Sequence, residues 1–166
     1  MSSPRDYYVA MLKDAGCDVG VIAHCRTVAD YALDLAGDNP LINRELLEAG
    51  AMLHDIGRGT THSIFHAQAG ADTCRALGLS EPIARIIECH TGAGLSADEC
   101  TLLGLLPRDC IPRTIEERIV AHTDNLVKGT TPVTIDEMIG SAIHLKKKVR
   151  RRMYHLALSV ENFCKN

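Results

Sequence analysis

Of the eight histidines in this 166-residue chain, several stand where a helix would turn them inward. His24 lies three residues after Val21 and four before Val28, on the stripe those valines define. His54 follows Ala51, Gly50 and Leu47 at three, four and seven, and His90 follows Ile87, Ile86 and Ile83 at the same spacings. Asp124 follows Ala121 and Val120 at three and four and precedes Val127 by three. Asp55 comes directly after His54, and His66 begins the helix past the next loop. A lone inward histidine is ordinarily a hydrogen-bonded core residue. A set of them with carboxylates among them is a different matter. A buried carboxylate needs a cation or a proton, and no Lys or Arg lies on these stripes. A metal ion is the economical partner, and helical bundles assemble such sites from side chains on facing helices.

The elements that must carry these residues read as helices throughout. The periodicity predicts helices over 4–15, 18–36, about 40–57, 64–77 and 81–91, with Gly16, Gly37, Gly57 and Gly78 as stops. Pro40 opens the third, because proline suits a first turn, and Ser80 caps the fifth. Three Ser/Thr-to-Glu capping boxes follow, Ser96/Glu99, Thr114/Glu117 and Thr134/Glu137, the last opening one long helix over 135–162. Strand signals are weak. The expectation is an all-α fold of about seven or eight helices in a single domain over 1–166. Its core spans about 18–130 and a C-terminal helical extension about 131–166.

Composition narrows the class further. Hydrophobic residues make up 46% and charged residues 23%, ordinary for a globular chain, so disordered and collagen-like classes are excluded. No apolar run approaches the ~18 residues that cross a bilayer, so no membrane association is expected. Met1–Asp14 interleaves charges with its apolar residues and lacks a signal-peptide core. The seven cysteines are odd in number with no C-x-x-C pair, which points to reduced thiols and a cytoplasmic protein. The net charge of −3 is lopsided. Residues 146–152 read KKKVRRR, and outside them 12 basic residues face 21 acidic ones. That run is either a solvated face of the terminal helix or, as Lys146–Arg152, a contact for RNA or another phosphate-rich partner.

The ordered set His24, His54-Asp55-Ile56-Gly57, His66, His90 and Asp124 resembles the HD-domain superfamily of metal-dependent phosphohydrolases. The stretches that carry it are HCRTVAD, AMLHDIGR, FHAQAGA, ECHTGAGL and IVAHTDNL, over most of the chain from His24 to Asp124. The HDIG wording is similar to stand-alone HDIG proteins, and FHAQAGA and CHTG to HD hydrolases of diadenosine tetraphosphate. The GYP motif of the cyclic-di-GMP branch is absent. The resemblance implies an HD-domain helical bundle with His24, His54, Asp55 and Asp124 on one metal. It implies that Asp55 bridges to a second metal held by His66 and His90. One or two divalent transition ions (Fe, Mn, Zn, Ni or Co) suit so many imidazoles better than Mg. The implied activity is cleavage of a phosphate ester or anhydride, of a nucleotide, by a metal-bound hydroxide.

Three residues are expected to act on substrate: Asp55, Arg58 and His62. Arg58 clamps a phosphate with its planar fork or serves as a plain helix-end cation. His62, four before His66, is a supporting partner, a leaving-group acid or a loop histidine. His122, His144 and His155 are expected outside the site, and Cys25 and Cys89 in the core, since adjacent helical residues diverge by ~100°. Two other functions compete. A di-iron oxygenase of the same superfamily would use the same ligands, and a non-catalytic nucleotide- or RNA-binding module would use the basic run.

Overall fold

Capping side chains set where the helices begin. The computed structural model describes residues 3–165, and among them nine α-helices, one 3-10 turn and one small hairpin are formed. The helices are α1 (Pro4–Asp14), α2 (Val19–Ala36), α3 (Arg44–Leu53), α4 (His66–Ala76), α5 (Glu81–Cys89), α6 (Ala97–Leu102), α7 (Ile115–Asn125), α8 (Ile135–Ser141) and α9 (Lys147–Lys165). The 3-10 turn is Ile56–Gly59, and β1 (Val127–Lys128) pairs antiparallel with β2 (Thr131–Pro132). Asp18, Asn43, Ser96, Thr114 and Thr134 each accept a backbone N–H of the helix they open.

Several boundaries depart from the sequence expectation. The third helix starts at Arg44, because the Asn39 side chain and carbonyl accept from Leu41 N and Ile42 N and spend 39–42 on a turn. It ends at Leu53, where the chain tightens into the 3-10 turn instead of running on to Gly57. Ser80 occupies the cap position of α5 but its side chain makes no cap hydrogen bond. Thr114 completes only half a box, since the Glu117 carboxylate accepts from Arg113 N (2.6 Å). The long final helix is two. Gly140 and Ser141 are poor helix formers, and Ser141 Oγ donates back to Met138 O. The break at 142–146 lets α9 turn onto α7, where Met153, Leu156, Ala157 and Val160 are buried.

The layers follow from which faces are apolar. α2 packs on α3 and α7, α3 on α5 and α7, and α4 on α5 and the 3-10 turn. One apolar cluster runs from Val9 and Leu12 on α1 through Leu47, Met52, Ile86 and Ile119 to Ala157 and Val160 on α9. A smaller one gathers Cys89, Cys100, Leu105 and Cys110. All seven cysteines are free, and six are buried. Gly57 sets the closest approach in the fold. A Cβ there would lie 1.9 Å from His66 O and 2.7 Å from Gly70 N, so only glycine lets the 3-10 turn rest on the first turn of α4. No helix is long and apolar enough to cross a membrane.

Candidate metal centre

Three helix ends meet at one point. His54 is the C-cap of α3, His90 the C-cap of α5, and Asp124 lies in the last turn of α7. His24 comes in from the middle of α2 and His66 from the first residue of α4. The C-terminal ends of helices carry partial negative charge, so this convergence favours a cation before any side chain is counted.

Each of the four histidines spends Nδ1 on a backbone carbonyl. His24 Nδ1 donates to Gly129 O (2.7 Å), His54 to Ala51 O (2.8 Å), His66 to Ser63 O (2.7 Å) and His90 to Ile87 O (2.6 Å). A carbonyl only accepts, so the proton is on Nδ1, and Nε2 presents its lone pair inward. The Gly129 carbonyl is offered by the β1–β2 turn, where Gly129 takes a positive φ of 61° that suits a two-residue hairpin loop.

The inward atoms crowd together. Asp55 Oδ1 lies 3.2 Å from His66 Nε2 and 3.5 Å from His90 Nε2. Asp55 Oδ2 lies 3.7 Å from His54 Nε2 and 3.9 Å from His24 Nε2. Asp124 Oδ1 lies 2.9 Å from His24 Nε2 and 3.4 Å from His54 Nε2. The six residues expected from the sequence are thus brought together, with the two Asp55 oxygens facing different histidine pairs. Two overlapping triads, His24/His54/Asp124 and His54/Asp55/His90, have donor atoms close enough to share an ion.

The donor set fits a metal on its own terms. His66 Nε2 and His90 Nε2 face each other at 3.0 Å. With both Nδ1 protons already donated, two lone pairs oppose each other there, and a cation resolves the clash. His54 Nε2 and Asp55 Oδ1 are buried with no hydrogen-bond partner, a costly state that ligation removes. Burial opposes charge on Asp55, yet His54, His66 and His90 hold its carboxyl far below the usual range. Asp124 behaves alike, with burial outweighed by His54 and His24. Burial also opposes charge on His54, but Cys25, Asp55 and Asp124 outweigh it and raise that imidazole well above its ordinary value. The centre therefore prefers positive charge at its middle.

Arg58 sits at the edge. Its Nε is 2.8 Å from Asp55 Oδ2 and its Nη1 donates to His62 O (3.3 Å). The buried carboxylate therefore has a guanidinium partner that the stripe pattern did not show, because Arg58 reaches back from the 3-10 turn. The His62 ring is exposed in the loop before α4. His122 is buried away from the cluster, with Nε2 3.1 Å from Glu161 Oε1, while His144 and His155 are exposed. Cys25 and Cys89 are core residues, and burial pushes the Cys89 thiol up.

Thr91-Gly92, directly after His90, suits a cavity mouth or a plain helix stop by sequence, and the rest of the space beside the centre carries no signal there. A cavity of ≈ 490 Å³ is lined by Ile64, Thr91, Leu102, Asn125, Val149 and Met153 among others. Thr91 follows His90 and Asn125 follows Asp124, so two metal-centre helices feed it directly. Asn125 Nδ2 donates to Gly92 O (2.7 Å) and holds the wall, and Thr91 Oγ1 is buried there without a partner. Adjacency to proposed ligands is the one signal that pointed to these two residues. Nothing local in the sequence joined them to Leu102 or Met153.

The HD domain profile matches residues 21–129. The chain is 46% identical over 127 residues to an uncharacterized protein of Methanocaldococcus jannaschii, covering 74% of this chain and 75% of that one. It is 39% identical over 157 residues to a tRNA (cytidine(56)-2'-O)-methyltransferase of Picrophilus torridus, covering 95% of this chain but 44% of that protein. Among solved structures, the HD domain of the phosphodiesterase PgpH of L. monocytogenes superposes with a TM-score of 0.57 at 15% identity. The superposition covers 99% of this chain and 100% of that one, and at that identity the likeness is one of fold. The same domain has also been solved in complex with cyclic-di-AMP.

Proposed function

Because this chain belongs to the HD domain family, we propose that it is a metal-dependent phosphohydrolase acting on a phosphate ester or anhydride of a nucleotide. The observation that carries this reading is the Asp55 carboxylate between two histidine pairs, with His66 and His90 Nε2 opposed at 3.0 Å. His24, His54, Asp55 and Asp124 would hold one divalent transition ion, and Asp55, His66 and His90 a second. Such ions supply Lewis acidity toward a phosphoryl oxygen and acidify a water. A site that gathers cations and a guanidinium suits an anionic substrate.

The protein's own groups do the rest. Asp55 fixes the two halves of the centre relative to each other. Arg58, tethered through Nε to Asp55 Oδ2 and through Nη1 to His62 O, keeps Nη2 for phosphoryl oxygens. His62, whose backbone carbonyl accepts from Arg58 Nη1, is the group we assign to hand a proton to the departing oxygen. His24 and Asp124 are partly exposed while His54 is fully buried, so substrate enters from the His24–Asp124 side. The neighbouring cavity supplies apolar walls for a nucleoside, with Asn125, whose Nδ2 is held by Gly92 O, leaving its Oδ1 to accept from it. The nucleotide assignment draws support from the names of two neighbours, a tRNA-modifying enzyme and a domain solved with cyclic-di-AMP. Methyl transfer is not assigned to this chain, which spans less than half of the methyltransferase it matches.

The test is hydrolysis by protein loaded in turn with Mn, Fe, Co, Ni and Zn, on nucleotides and on bis(p-nitrophenyl) phosphate. Metal-dependent release that disappears in Asp55→Asn is expected. No turnover with any metal on any of these substrates overturns the proposal.

A further inference from the structure

α9 has two working faces. Val149 and Met153, with Lys146 just before the helix, line the cavity beside the candidate metal centre. Lys147, Lys148, Arg151, Arg152 and His155 line a separate open cleft of ≈ 550 Å³. Among the described residues, only Arg152 of the six cations in 146–152 makes an ion pair, to Glu99 Oε2 at 2.9 Å. Its Nη2 also donates to Gly94 O (2.7 Å), which bolts α9 to the turn after His90. Elsewhere Arg5, Arg75, Arg85, Arg108 and Arg113 all have carboxylate partners. Among the described residues other cations also stand without an ion pair, Arg26, Arg44 and Arg118 among them, but they are scattered, whereas five fall together within 146–151.

The cluster also stands at the wrong end of its helix for stability. Lys147, Lys148 and Arg150 occupy the first turn of α9, where the helix carries partial positive charge, and that turn holds no acid of its own; Glu99 lies near enough to act on Lys148 but forms its ion pair with Arg152. Cations gathered against the dipole are a standing cost that a bound polyanion offsets. Tyr154 is exposed and shares a cleft with Lys147, Arg150 and Arg151, which puts a stacking surface among the charges.

We infer that this face of α9 is a docking surface for the phosphate backbone of single-stranded RNA. The inference rests on the phosphohydrolase reading above. The same helix joins the cationic cleft to the cavity at the metal centre, so a strand held along Lys147, Lys148 and Arg151 delivers an unpaired nucleotide past Lys146. A duplex keeps its bases stacked and offers none to the cavity. An anionic membrane satisfies the charges but puts nothing into the cavity.

The experiment uses the metal-loaded full chain and a fluorescent single-stranded RNA of ~12 nucleotides, a length within the range such surfaces span. Anisotropy is followed across salt. Roughly three backbone contacts give a log–log salt slope of about −2 on a single strand. Lys147→Ala/Lys148→Ala/Arg151→Ala is expected to weaken binding at least ~10-fold and flatten the slope toward zero. Absence of binding by the wild-type chain at low salt, or equal binding by the triple variant, overturns the inference. Binding to phosphatidylserine vesicles with no RNA binding overturns it too, and assigns the face to membranes. Turnover of bis(p-nitrophenyl) phosphate by the wild-type chain reports on hydrolysis alone. RNA binding with no turnover of that diester or of any nucleotide, whichever metal is loaded, leaves docking standing and removes the hydrolase. The reverse result removes docking only.

Discussion

Asp55 uses its two oxygens differently, and that division is the chemistry of the site at the scale of one residue. Oδ1 faces His66 and His90, while Oδ2 faces His54, His24 and Arg58. Asp55→Asn keeps the shape but replaces one oxygen with an NH2 that repels a cation. It is expected to lower metal content and turnover together, by more than the ~100-fold that losing a supporting hydrogen-bond partner costs. Elemental analysis beside the assay checks this, and full metal content in the variant would remove the bridging role. Arg58→Lys keeps the charge but loses the fork. Loss of one charge-assisted contact of ~1.5–3 kcal/mol corresponds to roughly 10–100-fold in kcat/KM. The expected change is chiefly in KM, with metal content unchanged. A wild-type KM would confine Arg58 to pairing with Asp55.

At the scale of elements, the 3-10 turn and α4 place His66 against Asp55 only because Gly57 has no side chain. Gly57→Ala is expected to cost about 1–3 kcal/mol by overpacking and to displace His66. Thermal denaturation and metal stoichiometry should fall together; a stable variant holding its full metal would show that α4 can slide. The α4–α5 pair is held separately by Glu88, buried and within 3.4 Å of Arg75, Arg85 and Arg108. Glu88→Ala leaves those guanidinium groups short of a partner and is expected to cost about 3 kcal/mol in chemical denaturation.

The rim of that network adds a pH dependence. Hydrogen bonds from Arg108 hold Asp72 below its ordinary range, and Arg75 does the same for Glu81. A carboxyl whose folded pKa lies below its unfolded one stabilises the fold above about pH 4 and loses that contribution as pH falls. Both groups are exposed enough that screening keeps the effect small. The stability gap between wild type and Arg75→Met/Arg108→Met should therefore narrow between neutral pH and about pH 3. A gap that widens in acid would contradict the assignment.

For the whole molecule, the terminal helix matters as much as the core that carries the candidate metal centre. Ala157 and Val160 of α9 are fully buried in the same apolar cluster as Ile119 of α7 and Val28 of α2. We propose that 3–165 unfold as one unit, α9 included. Loss of helical circular dichroism and release of bound metal should then share one midpoint. Ala157→Asp, which buries an unpaired charge, is expected to cost several kcal/mol and to weaken metal retention. Two separated transitions would make the C-terminal segment an independent appendage.

The identities of the converging side chains were legible before any coordinates. Inward spacing singled out His24, His54, His90 and Asp124, and the odd set of cysteines without a C-x-x-C pair matched seven free thiols. Such signals are local, because helical periodicity relates residues three, four and seven apart. His24 and Asp124 lie 100 positions apart and meet at 2.9 Å only through the packing of α2 on α7. Which nitrogen points inward depended on carbonyls at Gly129, Ala51, Ser63 and Ile87, the first of them on a hairpin no pattern announced. The split of the final helix escaped as well, since Met138, Ala142, Leu145, Val149 and Met153 keep an unbroken helical period across the break. The sequence by itself determined which side chains are available for the chemistry. Only the tertiary structure decided their convergence, the Arg58–Asp55 pairing and the cavity beside His90, because each requires segments distant in the chain to be packed against one another.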